Sequence, residues 1–248
     1  MTHFDLSNKT ILIFGGTGVL MSKMAEVLAD QNATVIIIGR DKSKIKHLLE
    51  NKKIHFYKFD IYINKIEILF EMVYSKYKYV DMLINGAGVN SSTPLLDIKY
   101  NEMINIFNIN FFFVINCCQV YIKKTLELGK PGKILNIGSI SGLTPLSNVY
   151  MYSASKSALH NFSKNIAREY GSKNINTNIL IPGFFPAEQN KEILTEKRKN
   201  KILQHTPSNR FGEPSDLAGI VSLLASDSSE FINGAELVID GGFNATKI

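Results

Sequence analysis

The sequence has only two cysteines, no proline- or serine-rich tract and no internal repeat. With nothing that resembles a linker, its 248 residues are expected to form one domain spanning 1–248 rather than two small ones. Cys117 and Cys118 are adjacent within an apolar helical pattern. Neighbouring cysteines are badly placed for an ordinary disulfide, and two without clustered histidines are too few for a zinc site. They read as small buried side chains in a reducing compartment, and no metal site is expected. The start, Met1-Thr2-His3-Phe4-Asp5-Leu6, lacks the basic region and apolar run of a signal peptide. The most apolar stretch, Ile104 to Val120, is broken by Asn105, Asn108, Asn110 and Asn116, which suits a buried helix better than a membrane span. A soluble, cytoplasmic protein with no membrane contact is the expectation.

A strong basic cluster is also missing. The formal charge is +6, but the lysines are scattered, and the densest group, Glu196 to Lys201, carries its own glutamate. That group reads as a solvated helix face, so no nucleic-acid partner is expected.

What is present is alternation. Short apolar runs at Thr10–Phe14, Ala33–Ile38, Ile54–Phe59, Val80–Ile84, Lys133–Ile137, Ile175–Ile181 and Glu236–Ile239 read as strands. Between them lie helical patterns: one beginning near Leu20, then Lys42–Glu50, Ile66–Tyr77, about Asn101–Leu128, about Tyr152–Tyr170 and Asp216–Ala225. Such alternation predicts an α/β fold, a parallel sheet of about seven strands with helices on both faces. In these sheets ligands bind beyond the carboxyl ends of the strands. Functional residues should therefore follow strands.

They do. Gly15-Gly16-Thr17-Gly18 joins the first strand to the first helix, where glycines let the backbone approach a pyrophosphate on the helix N-terminus. Asp60, after the third strand, is placed to hold an adenine amino group. Asn85-Gly86-Ala87-Gly88 follows the fourth strand and leaves room for a nucleotide. The second strand ends in Gly39-Arg40-Asp41, where a carboxylate would have gripped the ribose of NAD(H). Arg40 suits the 2′-phosphate of NADP(H) instead, so NADP(H) is favoured with NAD(H) still possible. Asp41 either turns toward the ribose or starts the next helix.

Ile137-Gly138-Ser139 closes the fifth strand, and Tyr152-Ser153-Ala154-Ser155-Lys156 follows thirteen residues beyond Ser139. Tyrosine and lysine four apart share a helix face. An ammonium near the phenol lowers its pKa from about 10 toward the working range of a proton donor and acceptor. Ser139 would hydrogen-bond the reacting oxygen.

Over nearly its whole length the chain resembles the short-chain dehydrogenase/reductase family. The resemblance rests on Asn85-Gly86-Ala87-Gly88, Ser139, Tyr152 with Lys156, Pro182-Gly183 and the ending Asp240-Gly241-Gly242. It implies a Rossmann-type doubly wound fold and a catalytic tetrad of Asn110, Ser139, Tyr152 and Lys156. Asn110 would anchor a water that relays protons to Lys156. It further implies cofactor contacts from Gly15, Thr17, Gly18, Tyr152, Lys156, Pro182 and Gly183, a substrate-side lid at about 184–210, and a homodimer or homotetramer. Oligomers of the family pair the helices carrying Asn110 and Tyr152, and Phe111-Phe112-Phe113-Val114 supplies a continuously apolar stretch there. Short strings, Gly15-Gly16-Thr17-Gly18-Val19-Leu20 and Arg210-Phe211-Gly212-Glu213-Pro214 among them, resemble the fructuronate (D-mannonate) oxidoreductase branch.

The expected reaction is hydride transfer between nicotinamide and a secondary alcohol or ketone, on a small polar or sugar-derived substrate. Ser141, Asn148, Glu188 and Gln189 offer hydrogen bonds to it. The alternatives are a 3-oxoacyl-thioester reductase and, from another class, a non-catalytic NADP(H) sensor. Departures from the family pattern are Phe14, Val19 and Met21 in the glycine turn and Ala187 after Pro182-Gly183. Met21 is expected to push the first helix away from the strand.

Overall fold

The computed structural model describes residues 4–186 and 195–246. Strands β1 (Thr10–Phe14), β2 (Thr34–Gly39), β3 (Ile54–Lys58), β4 (Met82–Asn85), β5 (Gly132–Ile137), β6 (Ile175–Pro182) and β7 (Glu236–Ile239) form one sheet. Every pairing is parallel, in the order β3-β2-β1-β4-β5-β6-β7. The helices are α1 (Val19–Asp30), α2 (Ile66–Tyr77), α3 (Tyr100–Phe107), α4 (Phe113–Leu128), α5 (Tyr150–Tyr170), α6 (Glu196–Gln204) and α7 (Ala218–Ala225).

The strands are continuously apolar because both faces are covered. Ile11, Ile13, Val35 and Ile37 pack with Met24 and Leu28 of α1 and Val221 and Leu224 of α7. Their neighbours Leu12, Phe14, Ile36 and Ile38 go to the other layer, with Phe70 of α2, Val114 and Tyr121 of α4 and Leu159 of α5. Phe14, unusual at its position for the resembled family, stands at the centre of that layer. Its ring lies 5.4 Å from Phe113, 6.1 Å from Phe70 and 6.2 Å from Phe59.

Three elements differ from expectation. Lys42–Glu50 is 3-10 rather than α-helical, with a break at Ile45, because only Ile45 and Leu48 are buried to hold it. The long helix expected over Asn101–Leu128 contains a π turn at Asn108–Phe112 between α3 and α4. Pro214–Leu217 forms a 3-10 turn ahead of α7, so the last helix is shorter than its pattern. The run Tyr100–Leu128 has the length and apolarity of a membrane span. Its inner face, including Phe113, Val114, Cys117 and Cys118, is nevertheless buried in the core, and both thiols are free.

The chain crosses over after β3, placing β4 on the opposite side of β1 from β2. In sheets of this kind the ligand crevice lies at that switch point, beyond the carboxyl ends of β1 and β4.

Candidate active site

The turn after β1 is fixed by contact with the turn after β4. Gly15 has φ +73°, and a Cβ there would lie 2.6 Å from the Ala87 nitrogen. A side chain is thus excluded twice, by backbone conformation and by space. Gly18 donates its N–H to Gly15 O at 3.0 Å, and α1 begins at Val19 with no side-chain cap. Uncapped N–H groups at a helix start, approached through bare backbone, suit a pyrophosphate. Thr17 packs over Gly39, where a Cβ would come within 2.7 Å of its methyl. Arg40 is exposed at the end of β2. Asp41 resolves to a helix start: its Oδ1 accepts from Ser43 N at 2.9 Å and Ser43 Oγ at 2.7 Å, and these bonds lower its pKa. That leaves Arg40 as the charged side chain at the strand end. Asp60 is half-buried, and its Oδ1 accepts from Tyr62 N at 3.0 Å.

Two expectations need correction here. Asn85 does not offer its side chain to the crevice. It is 2% exposed, and its Nδ2 donates to Asn136 Oδ1 at 2.8 Å, while Asn136 Nδ2 donates to Ser163 Oγ at 2.8 Å. A buried side-chain relay ties β4 to β5 and α5, and Gly86 and Ala87 carry the contact with the glycine turn. Nor does Met21 push α1 outward. Its side chain lies across Gly86, where a Cβ would come 2.5 Å from Met21 Cγ and closer still to its sulfur. The room for Met21 comes from a glycine 65 positions away.

The second half of the site forms where α5 meets the ends of β4 and β5. Tyr152, Lys156 and Ser139 converge: Ser139 lies close enough to the Tyr152 phenol to act on its pKa, and Lys156 Nζ lies 5.8 Å from the Tyr152 ring centre. Lys156 is 5% exposed and donates to Ile137 O at 2.7 Å. Burial pulls its pKa down to about 8. Burial likewise pushes the Tyr152 phenol up, with Ser139 working the other way. The sequence predicts a phenol lowered by its ammonium neighbour; here desolvation raises it instead. Tyr152 thus holds its proton near neutrality, as a donor must.

Asn110 sits in the π turn, fully buried. Its Oδ1 accepts from Val89 N at 2.8 Å, and its Nδ2 donates to Val89 O at 2.9 Å and Ser155 Oγ at 3.1 Å. The extra residue of a π turn redirects one side chain, and such turns concentrate at functional sites. Gly88 marks the space shared with the lysine: a Cβ there would lie 3.4 Å from Asn110 Oδ1 and 3.7 Å from Lys156 Nζ.

Ser141 departs from its expected substrate role. It is 4% exposed, its Oγ lies 3.0 Å from Ser139 Oγ and its N–H points at the same oxygen at 3.3 Å, so it supports Ser139 from behind. Asn148 is exposed, with φ +60°, just ahead of α5. Glu188, Gln189 and Ala187 lie outside the described residues. Gly183 donates to Ile239 O at 2.9 Å and abuts Asp240, where a Cβ would meet Asp240 Cβ at 2.6 Å. Pro182 and Gly183 are thereby held beside the Asp240-Gly241-Gly242 turn. Thr144 Oγ1 donates to Asn244 Oδ1 at 2.6 Å, pinning the loop after Ser139 to the same region. His160, which belongs to none of the motifs above, is 3% exposed beneath this loop and stands four residues after Lys156 on one helix face.

Comparisons with known proteins agree with this arrangement. The family model described as Enoyl-(Acyl carrier protein) reductase matches residues 20–244. The Uncharacterized oxidoreductase UxuB of Bacillus subtilis is 32% identical, with 98% of this chain and 97% of that protein covered. The 2-dehydro-3-deoxy-D-gluconate 5-dehydrogenase of Formosa agariphila is 30% identical over 98% and 95%. The 3-oxoacyl-[acyl-carrier-protein] reductase FabG of Chlamydia trachomatis is 31% identical over 96% and 98%. Among solved structures, a putative gluconate dehydrogenase from Agrobacterium tumefaciens superposes with a TM-score of 0.91 at 25% identity, covering 98% of this chain and 99% of that one. A gluconate 5-dehydrogenase from Burkholderia cenocepacia, in complex with NADP and tartrate, gives a TM-score of 0.91 at 24% identity, covering 97% of each.

Proposed function

The chain belongs to the short-chain dehydrogenase/reductase family, and from that premise we propose that it interconverts a secondary alcohol and a ketone on a small, sugar-derived substrate with NADP(H). The observation that carries the reading is the convergence of Ser139, Tyr152, Lys156 and Asn110 at the strand ends, next to a glycine turn with an uncapped helix start. Gly15, Thr17, Gly18, Gly86 and Ala87 would hold the dinucleotide, with Pro182 and Gly183 at its nicotinamide end. Arg40 would take the 2′-phosphate. The bound cofactor supplies or accepts hydride. In the reducing direction Tyr152 gives its hydroxyl proton to the ketone oxygen, which Ser139 holds by a hydrogen bond that strengthens as charge develops there. Lys156, still largely protonated near neutrality, stabilises the phenolate left on Tyr152. In the oxidising direction the proton moves the other way.

The sugar-acid preference draws on the relatives named for gluconate-type substrates. The 184–210 segment, of which α6 is the described helix, would cover the substrate. Exposed Lys197 and Lys201 on α6 favour one second reading, reduction of 3-oxoacyl thioesters on an acidic carrier protein, in keeping with the FabG relative. A homodimer or homotetramer is favoured by Tyr100, Ile104, Phe112 and Tyr150, exposed at 72%, 39%, 47% and 44% on the α3–α5 surface. Phe113 and Val114 are spent in the core and are unavailable to it. Two free buried thiols are consistent with the cytoplasm.

The test is a fluorescence titration with NADPH and NADH, then a turnover screen of sugar-acid ketones beside acetoacetyl thioester. NADPH binding with turnover of a sugar-derived ketone is the expected result. Turnover confined to the thioester would select the second reading, NADPH binding with no turnover of any ketone would favour the sensor, and failure to bind either nucleotide would refute both oxidoreductase readings.

A further inference from the structure

Tyr152, Lys156 and His160 occupy successive turns of one face of α5, and only the first two have a place in the chemistry above. His160 is 3% exposed, and the Ser139 loop closes around its ring. A Cβ on Gly138 would collide with His160 Nε2, and one on Gly142 would lie 2.9 Å from Cε1. The loop can therefore wrap the imidazole only because glycines bracket Ser139, Ile140 and Ser141. In that position Ser139 donates its backbone N–H to His160 Nε2 at 3.3 Å. A ring nitrogen that accepts carries no proton, so the proton of the neutral ring must sit on Nδ1. Nδ1 is buried without a hydrogen bond; Glu236 Oε1 of β7 lies 3.5 Å from it, and Lys164 Nζ lies 2.9 Å from the same oxygen.

The geometry points to His160 as a positioning residue: its neutral, Nδ1-protonated imidazole holds the Ser139 backbone and so fixes where the Ser139 hydroxyl stands beside Tyr152. The inference rests on the proposed role of Ser139. The charged groups around the ring are Glu236, Lys156 and Lys164, and burial outweighs the carboxylate's pull, bringing the imidazole pKa down to about 4. The ring is thus neutral at physiological pH, as an acceptor must be. Protonation would turn Nε2 from acceptor to donor and set it against the Ser139 N–H. Ser141 reinforces the device, because its N–H and hydroxyl approach the same Ser139 oxygen. The serine is thereby fixed from both its backbone and its side chain, the condition for a hydrogen bond that needs no rearrangement when charge develops.

Two readouts test this. In the kinetic one, His160→Leu keeps the volume and removes the acceptor, whereas His160→Gln keeps an acceptor oxygen. The leucine variant should lose about tenfold to a hundredfold in kcat, the scale of a small misplacement, with KM for NADPH within about twofold. The glutamine variant should recover most of the loss. Full kcat in the leucine variant, or no recovery with glutamine, would overturn the proposal. The second readout needs no turnover: 15N shifts of the five histidines at pH 7, with His160 assigned by its loss in His160→Gln. A protonated Nδ1 and bare Nε2 are expected, and the reverse tautomer would refute the positioning geometry. If Ser139→Ala leaves turnover intact while the tautomer is as expected, the failure belongs to the proposed role of Ser139. The hydrogen bond itself would then stand.

Discussion

Replacing Gly86 with alanine tests whether Met21 is a tolerated intruder or a fitted part of the nucleotide turn. The new Cβ would lie 2.5 Å from Met21 Cγ, closer to the sulfur, and 3.2 Å from Phe14 O. Backbone cannot yield easily there, because Gly15 already sits against Ala87. Methionine is flexible, but Met21 is 3% exposed and has no solvent to move into. Overpacking of this kind costs roughly 1–3 kcal/mol. Met21→Ala alone should cost roughly 2–5 kcal/mol through lost burial and the cavity left behind. Combining the two puts the alanine methyl into space the thioether has vacated, so the pair should couple favourably by about 1–2 kcal/mol. Urea unfolding of the four proteins measures this, provided the slope against denaturant stays constant. NADPH titration should show several-fold weaker binding for Gly86→Ala alone, since the displaced α1 start carries the amides proposed to meet the phosphates. Additivity within about 0.5 kcal/mol, or Gly86→Ala as stable as the parent, would mean that the Met21–Gly86 contact does not set the position of α1.

Tyr152→Phe should lower kcat by about a hundredfold to ten-thousandfold while NADPH binds within about twofold of the parent; near-normal turnover would mean another group is the acid. Arg40→Ala should weaken NADPH by roughly tenfold to a hundredfold and leave NADH unchanged, and equal losses for both would remove Arg40 as the phosphate reader. Lys156→Met should abolish turnover yet stabilise the fold near pH 7 by roughly 3 kcal/mol at most, because burial lowers the lysine pKa from the usual 10.5 to about 8. The sign follows from proton binding: between about pH 8 and 10.5 the unfolded chain holds more protons at this lysine, so native stability rises with pH across that window and the penalty is complete below it. Urea melts of parent and variant at pH 7 and 10 check this, and an unchanged stability difference between the two pH values would refute it.

The fold is legible because its signals are local. Continuous apolar strands separated by helical periodicity require a sheet covered on both faces, and right-handed crossovers restrict the order. Where local signals conflict with packing, the sequence misleads. Lys42–Glu50 has helical composition, but with Ile45 and Leu48 its only buried residues it settles into a broken 3-10 turn. The long apolar helix reads as regular, and nothing in its pattern announces the π turn around Asn110, whose cause is tertiary. The asparagine amide is clamped by Val89 and Ser155, on two other segments.

The site divides along the same line. Residue types at fixed spacing, such as Tyr152 with Lys156, carry their chemistry in the sequence, because four residues on a helix fix a shared face. Residues whose meaning depends on a distant partner do not. Asn85 lies in a nucleotide motif but spends its side chain on Asn136. Met21 breaks a glycine rule, and Gly86, in the turn after β4, supplies the space instead. His160 has the i+4 spacing that exposes Lys156, yet its acceptor role appears only once Gly138 and Gly142 wrap the loop around it. The phenol follows the same logic. Spacing predicts that Lys156 lowers the Tyr152 pKa, whereas burial of both groups raises the phenol and lowers the ammonium. Burial thus moves the two groups apart in acidity from nearly equal starting values: Tyr152 keeps its proton more firmly and Lys156 yields its own more readily. Both shifts come from how α5 packs against the rest of the chain, which no spacing within α5 encodes.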